Sequence, residues 1–84
     1  MFQDVFAFDS LTAAQAARGV LDARYVPCRV VRAPKAAAKR GCGDAVRVEG
    51  RDGARSAALL REAGPRFSGV FRLLPDGTAE EAAL

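Results

Sequence analysis

The residue best suited to chemistry in this sequence is Cys42, which lies between Gly41 and Gly43 and follows the cations Lys39 and Arg40. The two glycines leave the sulfur sterically open and allow the backbone to turn sharply. The two cations stabilise a thiolate, which is the nucleophilic form of cysteine. A cysteine kept for packing normally has apolar neighbours. The segment therefore predicts an accessible, reactive thiol, and the alternative is a loop cysteine without a role.

The composition excludes several other kinds of site. The 84-residue chain contains no histidine and two cysteines, so a Cys-His pair and a zinc site with four Cys or His ligands are both excluded. The cysteines lack the Cys-x-x-Cys spacing of redox pairs. Because no phosphate-binding loop, metal-ligand cluster or paired-carboxylate pattern is visible, we expect no cofactor and no metal.

The second cysteine, Cys28, is interpreted as a packing residue, because it shares one face of a strand with Val26 and Val30. If the hairpin that contains it pairs symmetrically about its loop, Cys28 lies opposite Arg47. That position is about five residues from Cys42, and at about 3.3 Å per residue the gap exceeds the reach of a disulfide. We therefore expect no Cys28–Cys42 disulfide, unless the loop folds back on the strand.

Four strands and two helices are predicted, in the order βαββαβ. Strands are expected at 2–8, 26–32, 45–49 and 70–74, and helices at 11–24 and between Asp52 and Gly64. This order is typical of ferredoxin-like α+β folds. Right-handed crossovers then give a four-stranded antiparallel sheet of order 4-1-3-2, with both helices on one face. Residues 1–74 form this domain, and 75–84 are expected to be a flexible tail.

The predicted topology places Cys42 at one end of the sheet. The loop between the second and third strands, the end of the first strand and the start of the first helix all fall at that end. Asp9 or Ser10 is a suitable N-cap for the first helix. The partial positive charge of a helix N-terminus favours a thiolate nearby.

Positive charge surrounds the predicted thiol. The net charge of the chain is +3, and Lys35, Lys39 and Arg40 precede Cys42 in the loop. These cations are expected to stabilise the thiolate or to attract an acidic partner, and the alternative is ordinary solvated charge.

Three arginines, Arg29, Arg47 and Arg72, each occupy the polar phase of a predicted strand. If the three phases agree, they line the sheet face that the helices leave open, either as an anion-binding platform or as a solvated surface. Sheets that bind RNA stack bases on aromatic side chains. The third strand, 45–49, contains no aromatic residue, which makes nucleic acid a weak alternative as a partner.

The size of the chain predicts one small domain with a limited core, for which a homodimer would be unsurprising. No signal peptide, lipidation signal or long apolar run is visible. We therefore expect a cytoplasmic protein without a membrane partner, in a compartment that keeps thiols reduced.

From about Val5 to Leu73 the chain resembles the family of small proteins described as selenium/sulfur carrier-like. The resemblance is carried by a first strand that ends in Phe-Asp-Ser, an alanine-rich helix, the segment 26–34 (VPCRVVRAP) and the segment 41–48 (GCGDAVRV). Pro34, Cys42, Gly43 and Arg47 take the family positions. The loop before Cys42 is richer in alanine and lysine than is usual, and Asp44 replaces an apolar residue.

The resemblance implies that Cys42 carries sulfur or selenium, as a persulfide or selenosulfide, from a cysteine desulfurase-like donor to an acceptor enzyme. The protein would then be a carrier and not itself an enzyme. The alternative is a non-catalytic regulatory or interaction domain that binds a partner or an anion through an Arg-lined sheet face or an edge strand. The residues expected to support the thiolate or dock partners are Lys39, Arg40, Gly41, Gly43 and Arg47.

Overall fold

The computed structural model describes residues 2–38, 41 and 43–84. In this part of the chain, the strands are β1 (Gln3–Phe8), β2 (Cys28–Arg32), β3 (Asp44–Glu49), β4 (Gly69–Leu73) and β5 (Ala79–Glu81). The helices are α1 (Leu11–Ala23), α2 (Lys35–Ala38) and α3 (Gly53–Ala63), and a 3₁₀ turn, Gly50–Asp52, leads into α3. None of these helices is long and apolar enough to cross a bilayer.

The strands form one antiparallel sheet in the order β2-β3-β1-β4-β5. The α+β class is confirmed, and the first four strands lie in the predicted order. The prediction of four strands is wrong, because β5 adds to β4. A turn at Pro75-Asp76-Gly77 precedes β5: Gly77 has φ 88, and the Asp76 carboxylate accepts hydrogen bonds from the Thr78 amide (2.9 Å) and hydroxyl (2.7 Å). This turn sends the chain back along β4.

The main core lies between one face of the sheet and the helices α1 and α3. Phe6 and Phe8 of β1 are fully buried there with Leu21 of α1 and Leu60 of α3. The ring of Phe67 packs edge-on against Phe6, with 5.1 Å between ring centroids. Apolar residues at a spacing of three or four in each helix, and every second residue of β1, supply this core. Both predicted helices therefore cover the same face.

The second face of the sheet is partly covered by the chain that connects β2 to β3. Ala33 and Ala37 pack there against Ala7 and Phe71, and Ala37 is 1% exposed. The expectation of a plain loop from Pro34 is thus corrected, since Lys35–Ala38 forms the short helix α2. Four helical residues are too few to show a periodic apolar pattern in the sequence. The covering segment leaves β1 buried from both sides.

The C-terminal end of α1 is closed by a Schellman motif. The amide of Val26 donates to the carbonyl of Leu21 (3.0 Å), and the amide of Tyr25 donates to that of Asp22 (3.0 Å). Tyr25 therefore occupies the position that normally takes glycine, and its φ is 60. Its side chain is 91% exposed. The fold thus holds a fully exposed aromatic residue in a strained backbone conformation.

Replacing Tyr25 with glycine is expected to raise the free energy of unfolding by about 1 kcal/mol, because glycine adopts positive φ without a steric penalty. Urea denaturation followed by circular dichroism measures this change. Tyr25→Ala is the matched control: it removes the same ring but keeps a Cβ at positive φ, so it should not stabilise the protein. Equal stabilities for the glycine and alanine variants would contradict the prediction.

Candidate functional site

Three elements meet at the end of the sheet where β2 leaves and β3 begins. Phe8, the last residue of β1, lies opposite Asp44 of β3, and Asp44 also pairs with Arg32 at the end of β2. Helix α1 starts from Ser10, whose side chain caps it by accepting the Ala13 amide at 3.1 Å. The end of β1, the start of α1 and the β2–β3 connection therefore share one end of the sheet, as the topology predicts.

Two backbone hydrogen bonds hold the described residues of the β2–β3 connection. The Ala33 amide donates to the Gly43 carbonyl (3.2 Å), and the Gly41 amide donates to the Ala38 carbonyl (3.0 Å). Gly41 has φ 86, which only glycine adopts easily. Both glycines are exposed, and a Cβ added to either would meet no non-neighbouring atom of the described residues within 4 Å. We call these two exposed glycines the tip, and their hydrogen bonds to Ala38 and Ala33 anchor it.

The predicted nucleophile Cys42 and the cations Lys39 and Arg40 lie outside the described residues. Of the other predicted site residues, Gly41 and Gly43 are the exposed glycines of the tip. Arg47 lies four residues further along β3, about 13 Å from Gly43 for an extended chain. The structure therefore does not bring Arg47 to this tip.

The three-arginine platform expected on one sheet face does not form. Arg47 is directly opposite Arg29, and both belong to the second face, together with Val5. Arg72 pairs with Asp4, so its side chain is on the helix-covered face. There its Nε atom lies 3.5 Å from Asp4 Oδ1, and its guanidinium stacks 4.0 Å from the Phe2 ring centroid. Adjacent residues of a strand face opposite sides of the sheet, so an error of one residue in the alternation of β4 moves Arg72 to the other face.

Cys28, at the start of β2, is a free and partly buried thiol that packs against the main core. Its Sγ lies 3.6 Å from Asp22 Oδ1 and 3.9 Å from the Arg18 carbonyl, both on α1. Burial, and next the negative charge of Asp22, raise the pKa of Cys28 to about 11. At neutral pH the sulfur is a thiol that donates a hydrogen bond, so the prediction of a packing residue agrees with its environment.

The register of the hairpin differs from the symmetric pairing expected for Cys28. Cys28 lies opposite Val48, not Arg47. The pairing of Ala33 with Gly43 fixes this register, because each residue earlier in β2 pairs with one residue later in β3. Cys28 is five residues from Ala33, about 16 Å along an extended strand.

Within the described ranges, no three Cys, Asp or Glu side chains are grouped closely enough to hold a metal ion.

A model of the family described as "Putative Se/S carrier protein-like" matches residues 4–72. The matched range contains most of β1 and β4, all of β2 and β3, all three described helices and the connection from Ala33 to Gly43. No significant match was found among curated proteins or among solved structures. The match covers most of the chain and includes the position of Cys42.

Proposed function

Because the chain belongs to the Se/S carrier protein-like family, we propose that it carries sulfur or selenium on Cys42 between a donor enzyme and an acceptor enzyme. The observation that carries this proposal is the family match through the β2–β3 connection. The description of the family supports sulfur or selenium as the cargo. The residues around Cys42 support this thiol as the carrier, and the family resemblance implies a persulfide or selenosulfide as the form of the cargo.

The frame of the connection supports an accessible thiol. Residue 42 is flanked by Gly41 and Gly43, which are both exposed and have open space where side chains would project. A partner's active site must reach the carrier sulfur closely enough for sulfur-sulfur exchange, so neighbours without side chains favour transfer. The hydrogen bonds at Ala33 and Ala38 would limit how far this tip moves during delivery.

The second thiol of the chain is poorly suited to the role. Cys28 is partly buried against α1, and its pKa of about 11 leaves very little thiolate at neutral pH. Thiolate is the species that attacks a donor persulfide. The contrast between the two cysteines therefore favours Cys42 as the carrier atom.

The proposed step is a transfer of sulfane sulfur without net oxidation. The Cys42 thiolate attacks the outer sulfur of a donor cysteine persulfide, R–S–SH. The donor S–S bond breaks as the Cys42–S–SH bond forms, and the donor leaves as the thiolate R–S⁻. Selenium would transfer in the same way to give Cys42–S–SeH. A nucleophile of the acceptor then attacks the outer atom and restores the Cys42 thiolate.

Intact mass spectrometry tests the proposal after incubation with a cysteine desulfurase and cysteine or selenocysteine. We expect an adduct of about 32 Da for sulfur or about 79 Da for selenium, which a reducing thiol removes. Peptide mapping should place it on Cys42. The Cys28→Ala variant should keep the adduct, and Cys42→Ser should lose it. A full adduct on Cys42→Ser would contradict the proposal.

A further inference from the structure

Strand β2 has a free edge, because it is the outermost strand on its side of the sheet. The hydrogen bond from the Ala33 amide to Gly43 shows which residues of β2 direct their backbone N–H and C=O groups toward β3. In an antiparallel pair, every second residue directs its N–H and C=O toward the partner strand. Arg29 and Val31 therefore bond to β3, whereas Cys28, Val30 and Arg32 direct these groups away from the sheet. No strand of the described chain pairs with this edge.

The side chains along β2 combine apolar and basic character. Val30 and Val31 are half-buried β-branched residues, and the exposed arginines Arg29 and Arg32 flank them. Arg47 adds a third guanidinium beside Arg29 on the second face. Among the described residues, none forms an ion pair with these three arginines. The edge thus favours an acidic extended segment over a basic or neutral one.

The opposite edge of the sheet has the reverse character. Strand β5 has only three residues, and two of them are the exposed acids Glu80 and Glu81. An acidic segment would be repelled there. A second copy pairing β2 with β2 would bring arginines of both chains close together, which is also unfavourable. Charge complementarity therefore favours an acidic segment of another protein over a second copy of this chain. It also favours the β2 edge over the β5 edge as the binding site.

Tyr25 gives independent support for a binding role at β2. It precedes β2 by three residues, is 91% exposed, and holds a φ of 60 where glycine would be more stable. Strained residues that persist in a fold are often functional. Exposed tyrosines are common energetic centres of protein interfaces. A tyrosine at this position is explained if its ring contacts a partner that lies along β2.

We propose that an extended acidic segment of the donor or acceptor protein adds to the sheet as an antiparallel strand beside β2. This inference rests on the proposed function, because β2 runs directly into the connection that carries Cys42. The segment would present, in its own chain direction, an acidic residue, two apolar residues and an acidic residue opposite Arg32, Val31, Val30 and Arg29. Main-chain hydrogen bonds to Val30 and Arg32 would supply affinity, and the two acids would supply selectivity.

The probe is a capped synthetic peptide with the central sequence Glu-Val-Val-Glu, titrated into ¹⁵N-labelled protein at low salt. We expect the largest amide chemical-shift changes at Cys28, Val30 and Arg32, whose amides lie on the free edge. Hydrogen exchange of these amides with solvent should also become slower. A peptide with Lys in place of both Glu should bind at least about tenfold more weakly. Equal affinity for the two peptides would overturn the charge argument.

A matched pair of variants tests the edge itself. Val30→Pro removes an amide that points away from the sheet, so pairing with β3 is retained. Val30→Ala loses a similar amount of packing but keeps the amide. We expect Val30→Pro to weaken binding of the Glu-Val-Val-Glu peptide at least about tenfold. Val30→Ala should weaken it less than about threefold. Equal binding to both variants would overturn the proposal.

Two further measurements separate the remaining outcomes. If sedimentation shows a wild-type dimer that Val30→Pro, but not Val30→Ala, dissociates, the edge is occupied by a second copy and the proposal is wrong. Loading of the wild type from inorganic polysulfide requires no docked protein. Failure of that loading would count against the carrier function, whereas normal loading with no peptide binding would count against the docking edge alone.

Discussion

Iodoacetamide is expected to alkylate Cys42 at least about a hundredfold faster than Cys28 at pH 7, because alkylation requires the thiolate. The pKa of Cys28 is raised to about 11 by burial and by Asp22. An ordinary thiol has a pKa of about 8.5, so its thiolate fraction at pH 7 is more than a hundredfold larger. Quenched reaction samples, digested and quantified by mass spectrometry, give both rates from one protein.

The pH profile and one variant test the cause of this difference. The rate at Cys28 should keep rising with pH toward about 11, whereas the rate at Cys42 should level off at a lower pH. Asp22→Asn removes the charge next to the Cys28 sulfur, so it should lower the pKa of Cys28 and speed its alkylation several-fold. The Cys42 rate should stay unchanged in that variant. Equal rates at the two cysteines in the folded wild type would contradict the prediction.

Gly53→Ala is expected to destabilise the protein by about 3 kcal/mol, because the first turn of α3 packs directly onto β1. A Cβ on Gly53 would overlap with Asp4 Oδ2 and would lie 3.3 Å from Leu84 Cδ1. Asp4 is 1% exposed, and its short side chain is held among buried residues of the sheet. To relieve the contact, either the helix must move away from the sheet or the buried Asp4 carboxylate must rotate, which would disturb its 3.5 Å contact with Arg72 Nε. Chemical denaturation followed by circular dichroism measures the loss.

Gly19→Ala is the matched control within the same protein. Gly19 lies in α1, and a Cβ there would meet nothing within 4 Å. Alanine should stabilise this helix by up to about 1 kcal/mol, so the two substitutions have opposite signs. In an Asp4→Ala background, Gly53→Ala should cost much less, because the clashing carboxylate is absent. A similar cost in both backgrounds would mean that the contact with Asp4 is not the cause.

Local patterns in the sequence determined the identity of most elements. Apolar residues at helical spacing mark α1 and α3, β-branched and aromatic residues mark β1, and alternation marks β2 and β3. Asp9 and Ser10 both have the residue type of a cap for α1. The resemblance to the Se/S carrier-like family also followed from local features, namely the residues around Cys42 and the order of elements. These features are readable because each depends on residues that are close in the chain.

The tertiary structure alone decided which residues share a face and which segments cover them. The phase of β4 placed Arg72 with Asp4 and Phe2 on the helix-covered face, away from Arg29 and Arg47. No local signal contains this information, because a shift of one residue reverses the face of every side chain in a strand.

Packing between distant segments likewise decided the remaining features. Ala37 of α2 is buried only because Ala7 and Phe71 lie beneath it, and β5 forms only because β4 offers a free edge after the turn at Gly77. Tyr25 takes positive φ because Leu21 and Val26 are both fixed in the core on either side of it. Contacts of this kind depend on residues far apart in the chain, so only the folded structure determines them.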